Sequence, residues 1–194
     1  MGDNLLRDEP AGPPVVGSDV VFNGRIWDVR SDTVSYGGGE MVRQYVAHPG
    51  AAAVVAVDDL GRVLLIQQYR HPIRHRDWEI PAGLLDVAGE APELAARREL
   101  AEETDVDAAE LTPLVSVFTS PGGNDEIVHI FLARGLSANK NVHEREQEEA
   151  DIRVEWLGLT ETVDAILAGR IRNAILIAGV LAAAEHLRRE VAEL

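Results

Sequence analysis

The sequence predicts an α+β fold, a sheet layer with helices on its faces, preceded by a separate N-terminal antiparallel β unit. Runs of β-branched and aromatic residues recur along the chain, bounded by Asn-Gly, Gly-Gly-Gly and Leu-Gly turn signals. Helical patterning interrupts them in three places, once in the middle and twice near the end. At 194 residues with 46% apolar and 26% charged side chains, the chain is one ordinary domain, or one domain plus a small appendage.

Residues 1–17, which include MGDNLLRDEPAGPP, read as a flexible lead-in ending at Gly17. Residues 18–48 form the N-terminal β unit. In it, 19-DVVFNGRIWDVRSDTVSY-36 places β-rich runs on either side of Asn23-Gly24, a hairpin signal. Gly37, Gly38 and Gly39 make a second turn, and 40-EMVRQYVAH-48 is the returning strand. This unit packs either on the main domain or on a second copy of it.

Residues 49–194 form the main domain. Two largely buried strands, 51-AAAVVAVDD-59 and 62-RVLLIQQYR-70, flank Leu60-Gly61. The segment 78-WEIPAGLLD-86 is a short strand broken by Pro81 and Gly83. A helix is predicted from about Ala91 to Thr104, with Pro92 in its first turn, where the missing N–H costs nothing. Strands follow at 113-PLVSVFTS-120, 126-EIVHIFLAR-134 and 152-IRVEWLGL-159. Between the last two lies 137-SANKNVHEREQEEAD-151, a long polar loop of the kind that is functional or disordered. Two helices close the chain, one capped by Thr160 and one across 172-RNAILIAGVLAAAEHLRRE-190.

The chain contains no cysteine, which excludes disulfides, zinc–thiolate sites and cysteine nucleophiles. No segment approaches the ~18 continuous apolar residues of a membrane span. The N-terminus has acids and prolines where a signal peptide needs a basic start and an apolar block. A soluble, cytoplasmic protein is the expectation. A net charge of -15 argues against nucleic-acid binding by long-range attraction, although a bound divalent cation inverts the local field for a small phosphate ligand.

The stretch 97-RRELAEETDV-106 carries Glu99, Glu102 and Glu103. At ~100° per residue the three share one helical face, where like charges repel by a few tenths of a kcal/mol each. A solvated surface is one reading. Against it, Leu94 and Ala101 border the stripe on one side and Ala96 and Leu100 on the other. Arg98, four residues before Glu102, pairs with one acid and leaves two unpaired. Upstream, 81-PAGLLDVAGE-90 is a glycine-rich loop suited to close backbone approach by a ligand. Carboxylates are hard ligands, and Mg²⁺ is typically held by a few of them together with substrate phosphates. The cluster therefore reads as a divalent-metal and phosphate site.

Gly83, Glu90, Arg98-Glu99-Leu100, Glu102-Glu103 and Val106 resemble the box of the Nudix hydrolases. The resemblance implies a Nudix-type α/β/α sandwich with a mixed sheet. It also implies Mg²⁺-dependent, or Mn²⁺-dependent, cleavage of a nucleoside diphosphate linked to a further group. Glu99, Glu102 and Glu103 become metal ligands, joined by a backbone carbonyl of Ala82 or Gly83, and Arg98 holds the carboxylates in position. Two positions depart from the pattern. One extra residue lies between Gly83 and Glu90, and Asp105 stands where the family has glycine. Asp enters the left-handed conformation more readily than most residues.

The segments 68-QYRHPIR-74, 78-WEIPAG-83, 119-TSPGGNDE-126 and 148-EEADIRV-154 resemble the ADP-ribose pyrophosphatases within that family. That resemblance implies hydrolysis of ADP-ribose to AMP and ribose 5-phosphate. A glutamate on the late loop, Glu148 or alternatively Glu149, activates the water. Arg70 clamps the pyrophosphate, and Glu79 either binds the nucleoside or pairs with a nearby arginine. Phe22 and Trp27 clamp adenine across a homodimer with exchanged β units, so the site is shared between chains; Trp78 is a further aromatic beside the box loop. Gly122 and Gly123 admit the terminal ribose. Two alternatives remain open: another nucleoside-diphosphate sugar or a dinucleotide as substrate (GDP-mannose, NADH, FAD), and a non-catalytic ADP-ribose sensor.

Overall fold

Residues 6–140 and 151–193 are described in the structure, a computed structural model. The chain divides into two units. The first is a three-stranded antiparallel sheet in the order β1-β2-β3, comprising β1 (Val15–Phe22), β2 (Asp28–Tyr36) and β3 (Gly39–Ala47). β1 starts inside the stretch read as a lead-in, because the β-branched Val15 pairs with Val34. The Asn23-Gly24 signal does not give a two-residue turn. The connection spans 23–27, and the Gly24 N–H donates to Asp28 Oδ1 at 3.1 Å. The tight turn is instead at Gly37 and Gly38, with φ of 62° and 83°, values that glycine adopts without strain. Gly122–Asp125 belongs to this unit, with the Val46 N–H donating to Gly123 O at 2.9 Å and the His48 N–H to Asp125 Oδ1 at 2.8 Å.

The second unit contains two sheets rather than one layer. The mixed sheet runs β7-β4-β9-β8, with β4 (Ala51–Ala56), β7 (Ala82–Leu84), β8 (Val106–Phe118) and β9 (Ile127–Ala138). The antiparallel sheet runs β10-β5-β6, with β5 (Arg62–Arg70), β6 (His75–Glu79) and β10 (Arg153–Gly158). β4 and β5, neighbours in sequence, share no ladder beyond a bridge from Val57 to Val63. Both edges of β4 are already taken, by β7 in antiparallel and β9 in parallel pairing.

Every residue of β4 is buried, as expected for a strand covered on both faces. Its alternation separates two cores. Ala52, Val54 and Ala56 pack with Ala95, Ala96 and Leu100 of the helix α1 (Pro92–Thr104). Ala53 and Val55 pack with Ile166 of α2 (Leu159–Leu167) and Leu176 and Val180 of α3 (Ala174–Ala192). The result is the α/β/α arrangement. Truncating Leu100, 1% exposed, to alanine would cost about 2–5 kcal/mol and loosen the helix that carries the acids. Gly179 lets α3 approach the sheet closely, since a Cβ there would lie 2.9 Å from Val55 Cγ2. The N-cap of α2 is Gly158, not Thr160; Thr162 Oγ1 donates back to the Gly158 carbonyl at 3.0 Å. Asn173 caps α3, accepting the Leu176 N–H at 2.9 Å. Among the described residues no helix is long and apolar enough to cross a membrane.

Candidate active site

The site is built around the C-terminal half of α1. The helix begins after Ala91, in extended conformation, with Pro92 in the first turn. It ends at Asp105, whose φ of 56° is left-handed and whose N–H closes the last turn on Ala101 O at 3.0 Å. The aspartate thus occupies the conformation a glycine would take. In the loop leading in, the Glu90 N–H donates to Val87 O at 3.0 Å and Gly89 has φ of 82°.

Gly83 lies directly against the first acid. A Cβ at this position would fall 1.9 Å from Glu99 Cδ and 2.0 Å from its Oε1, so no other residue fits while the carboxylate stays in place. Beside it, Glu103 is 6% exposed and accepts the Ala82 N–H at 2.9 Å. Burial pushes its carboxyl up to about 8, and the neighbouring Glu99 and Glu79 add to the rise against the Ala82 bond and Arg70. A buried carboxyl held this way is costly to ionise without a nearby cation.

Arg98 takes a larger part than its i,i+4 spacing suggests. Its guanidinium donates to both oxygens of Glu90 at 3.3 and 3.1 Å, to Glu99 Oε1 at 2.5 Å and to Glu102 Oε2 at 3.1 Å. The reading in which one ion pair leaves two acids unpaired is corrected accordingly. These bonds, led by the one to Glu90, hold the guanidinium more firmly protonated than usual. Of the apolar border expected on one side, Ala101 is buried but Leu94 is exposed.

Arg70 and Glu79 meet across the β5–β6 pair. Arg70 Nε donates to Glu79 Oε1 and Nη2 to Oε2, both at 2.7 Å, a bidentate ion pair. Glu79 is 6% exposed and also receives the amide of Gln68, itself buried, at 3.4 Å. Of the two roles left open for Glu79, the arginine partnership is the one the geometry displays. Both residues act electrostatically on Glu103, which joins the arginine to the acidic cluster. Gln68 and the bidentate role of Glu90 were not anticipated. A polar Gln68 inside the run 63-VLLIQQY-69 was the available signal.

Phe22, Trp27, Gly122 and Gly123 belong to the first unit, where Phe22 and Trp27 are exposed and Trp27 faces His48 at 5.2 Å between ring centroids. Trp78 packs on the α2–α3 core. Glu148 and Glu149 lie outside the described residues.

No three acidic or histidine side chains among the described residues surround a common point as ligands would. Arg98 draws Glu99 and Glu102 to itself instead. The donor chemistry nevertheless fits a hard divalent cation: carboxylate oxygens on one helix, a buried acid with a raised pKa, and a glycine cradle against Glu99. Arg98 is the counter-charge shared by Glu90, Glu99 and Glu102.

A profile of the NUDIX domain matches residues 47–178. An ADP-ribose pyrophosphatase of Mycobacterium tuberculosis is 45% identical over 168 residues, covering 86% of this chain and 81% of its own. One from Bacillus subtilis is 42% identical over 135 residues, covering 69% of this chain and 72% of its own. Among solved structures, an ADP compounds hydrolase superposes with a TM-score of 0.77 at 21% identity, over 95% of this chain and 98% of that one.

Proposed function

The chain belongs to the Nudix hydrolase family, and from that premise we propose that it hydrolyses the pyrophosphate of ADP-ribose to AMP and ribose 5-phosphate. One observation carries the reading: the box carboxylates gathered by Arg98 and Ala82 stand beside an arginine already oriented by Glu79. The relatives named above support the choice of ADP-ribose over other nucleoside diphosphates.

Glu99, Glu102 and Glu103, with a carbonyl of Ala82 or Gly83, would hold the divalent metal, Mg²⁺ or Mn²⁺. When bound, it supplies charge neutralisation and polarisation of the phosphoryl oxygens. Arg70 binds the pyrophosphate through the guanidinium that Glu79 orients. Arg98 keeps Glu99 and Glu102 in register, a positioning role. Glu148, or Glu149 in its place, aligns the attacking water and takes its proton. The water oxygen bonds to one phosphorus, the bridging P–O bond breaks, and two phosphate monoesters leave. Gly122 and Gly123 admit the terminal ribose.

We place the reaction in the cytoplasm and read the protein as a homodimer joined through the N-terminal sheet. Every residue of β1 is exposed in the isolated chain, including Val15, Val16, Val20, Val21 and Phe22. An apolar strand of that kind is an association surface. In the dimer Phe22 and Trp27 would clamp adenine from the partner copy. Excess chelator should abolish AMP release and added Mg²⁺ restore it; activity that persists in chelator would refute the proposal. Sedimentation of a Val20→Asp, Val21→Asp variant as a monomer with raised KM would bear out the shared site.

A further inference from the structure

A cleft of about 610 Å³ opens between β6 and the loop joining α2 to α3, lined by Arg76, Trp78, Arg170, Ile171 and Arg172 among others. Its lining draws on both pleats of β6, with His75 and Asp77 beside Arg76 and Trp78. Trp78 faces the α2–α3 core, whereas Glu79, the next residue, turns to Arg70. In a chain with 33 acidic and 18 basic residues, three arginines around one cleft are a marked local reversal of charge.

The loop that presents two of them is firmly built. α2 ends with the Gly169 N–H donating to Ile166 O at 2.9 Å and the Arg170 N–H to Ala165 O at 3.0 Å, with Gly169 at φ of 70°. That pair of bonds is a Schellman motif, which ties off the helix and fixes the path of the next residues. Ile171 is 8% exposed and anchored in the core, while Arg170 and Arg172 on either side are exposed. Asn173 then fastens the loop to β6, its amide donating to Asp77 Oδ2 at 3.0 Å. Among the described residues Arg170 and Arg172 make no ion pair. Asp77 is engaged by Asn173 and Asp151 by Arg76, while Glu161 lines the adjoining hollow with Arg170.

We propose that this cleft is a second, non-catalytic site for a phosphate monoester, with Arg170 and Arg172 as its principal ligands and Arg76 on the opposite wall. Guanidinium groups suit phosphate oxygens, and the preformed loop leaves little backbone freedom to be lost on binding. Trp78 and Ile171 supply an apolar wall for whatever the phosphate carries. Adenosine monophosphate, ribose 5-phosphate and inorganic phosphate share the required chemistry, and comparing them separates a nucleotide site from a simple phosphate site.

The test is calorimetric titration of the full chain with each of the three in chelator, using wild type, Arg170→Ala/Arg172→Ala and Arg70→Ala. Wild type should show saturable binding of at least one ligand near ~1 mM or tighter. The double variant should weaken it at least ~10-fold, with turnover unchanged, and Arg170→Lys/Arg172→Lys should recover part of the loss. Arg70→Ala should leave binding intact. Three results overturn the proposal: no saturable binding up to ~10 mM, loss of binding in Arg70→Ala alone, or a change of oligomeric mass in the double variant. The last would mean that a second copy covers the cleft.

Discussion

Replacing Glu103 by glutamine keeps the acceptor for the Ala82 N–H but removes the ability to ionise. In the folded apoprotein this carboxyl is pushed from 4.5 to about 8, chiefly by burial. Between those values the folded state holds a proton that the unfolded chain releases. Stability is therefore fully present below about pH 4.5, falls as pH rises, and levels off above about 8. At ~1.4 kcal/mol per pH unit the ceiling on that loss is roughly 5 kcal/mol. Urea denaturation in chelator at a series of pH values, for wild type and Glu103→Gln, reads this term as the difference between the two curves. Wild type should lose several kcal/mol relative to the variant between pH 5 and 8. Saturating Mg²⁺ at pH 8 should restore wild type and leave the variant unmoved. The same substitution should lower turnover by at least ~10²-fold. Parallel pH profiles, or near-normal turnover in the variant, would refute the reasoning.

Gly83→Ala forces a Cβ to within 1.9 Å of Glu99 Cδ, so the acid must move. Metal affinity and turnover should both fall, while thermal denaturation shows the fold retained. Glu79→Gln breaks the charged pairing that orients Arg70 and should raise KM about tenfold, with a smaller effect on kcat. Glu148→Gln should reduce kcat with metal binding, measured by titration, left largely intact. A silent Glu148→Gln beside a damaged Glu149→Gln would move the water-activating role one residue along, and damage only in Glu90→Gln would move it into the helix loop.

The sequence made α1 and its surroundings legible because local rules agree there. Pro92 opens the helix, Asp105 closes it in the left-handed conformation, and apolar Ala96 and Leu100 mark the buried side. Spacing placed the carboxylates on one helix face but said nothing of their rotamers. Arg98 reaching back to Glu90 depends on how the loop folds over the helix, a tertiary matter. The start of β8 escaped notice because 106-VDAAELT-112 alternates too weakly to look like a strand; its pairing with the end of β9 supplies the order. The division into two sheets was equally hidden. It follows from β4 having both edges occupied, which no pattern within β4 or β5 announces. Thr160 looked like a cap by type, yet Gly158 holds that position because β10 runs directly into α2.

The most direct test of the central claim is nucleoside monophosphate release with Mg²⁺ from a panel of ADP-ribose, GDP-mannose, NADH and FAD (GMP from GDP-mannose, AMP from the others), compared as kcat/KM. The account predicts that ADP-ribose leads, with AMP and ribose 5-phosphate formed in equal amounts. A panel led by another nucleoside diphosphate would contradict the substrate assignment. Binding of ADP-ribose without any turnover would contradict the enzyme itself.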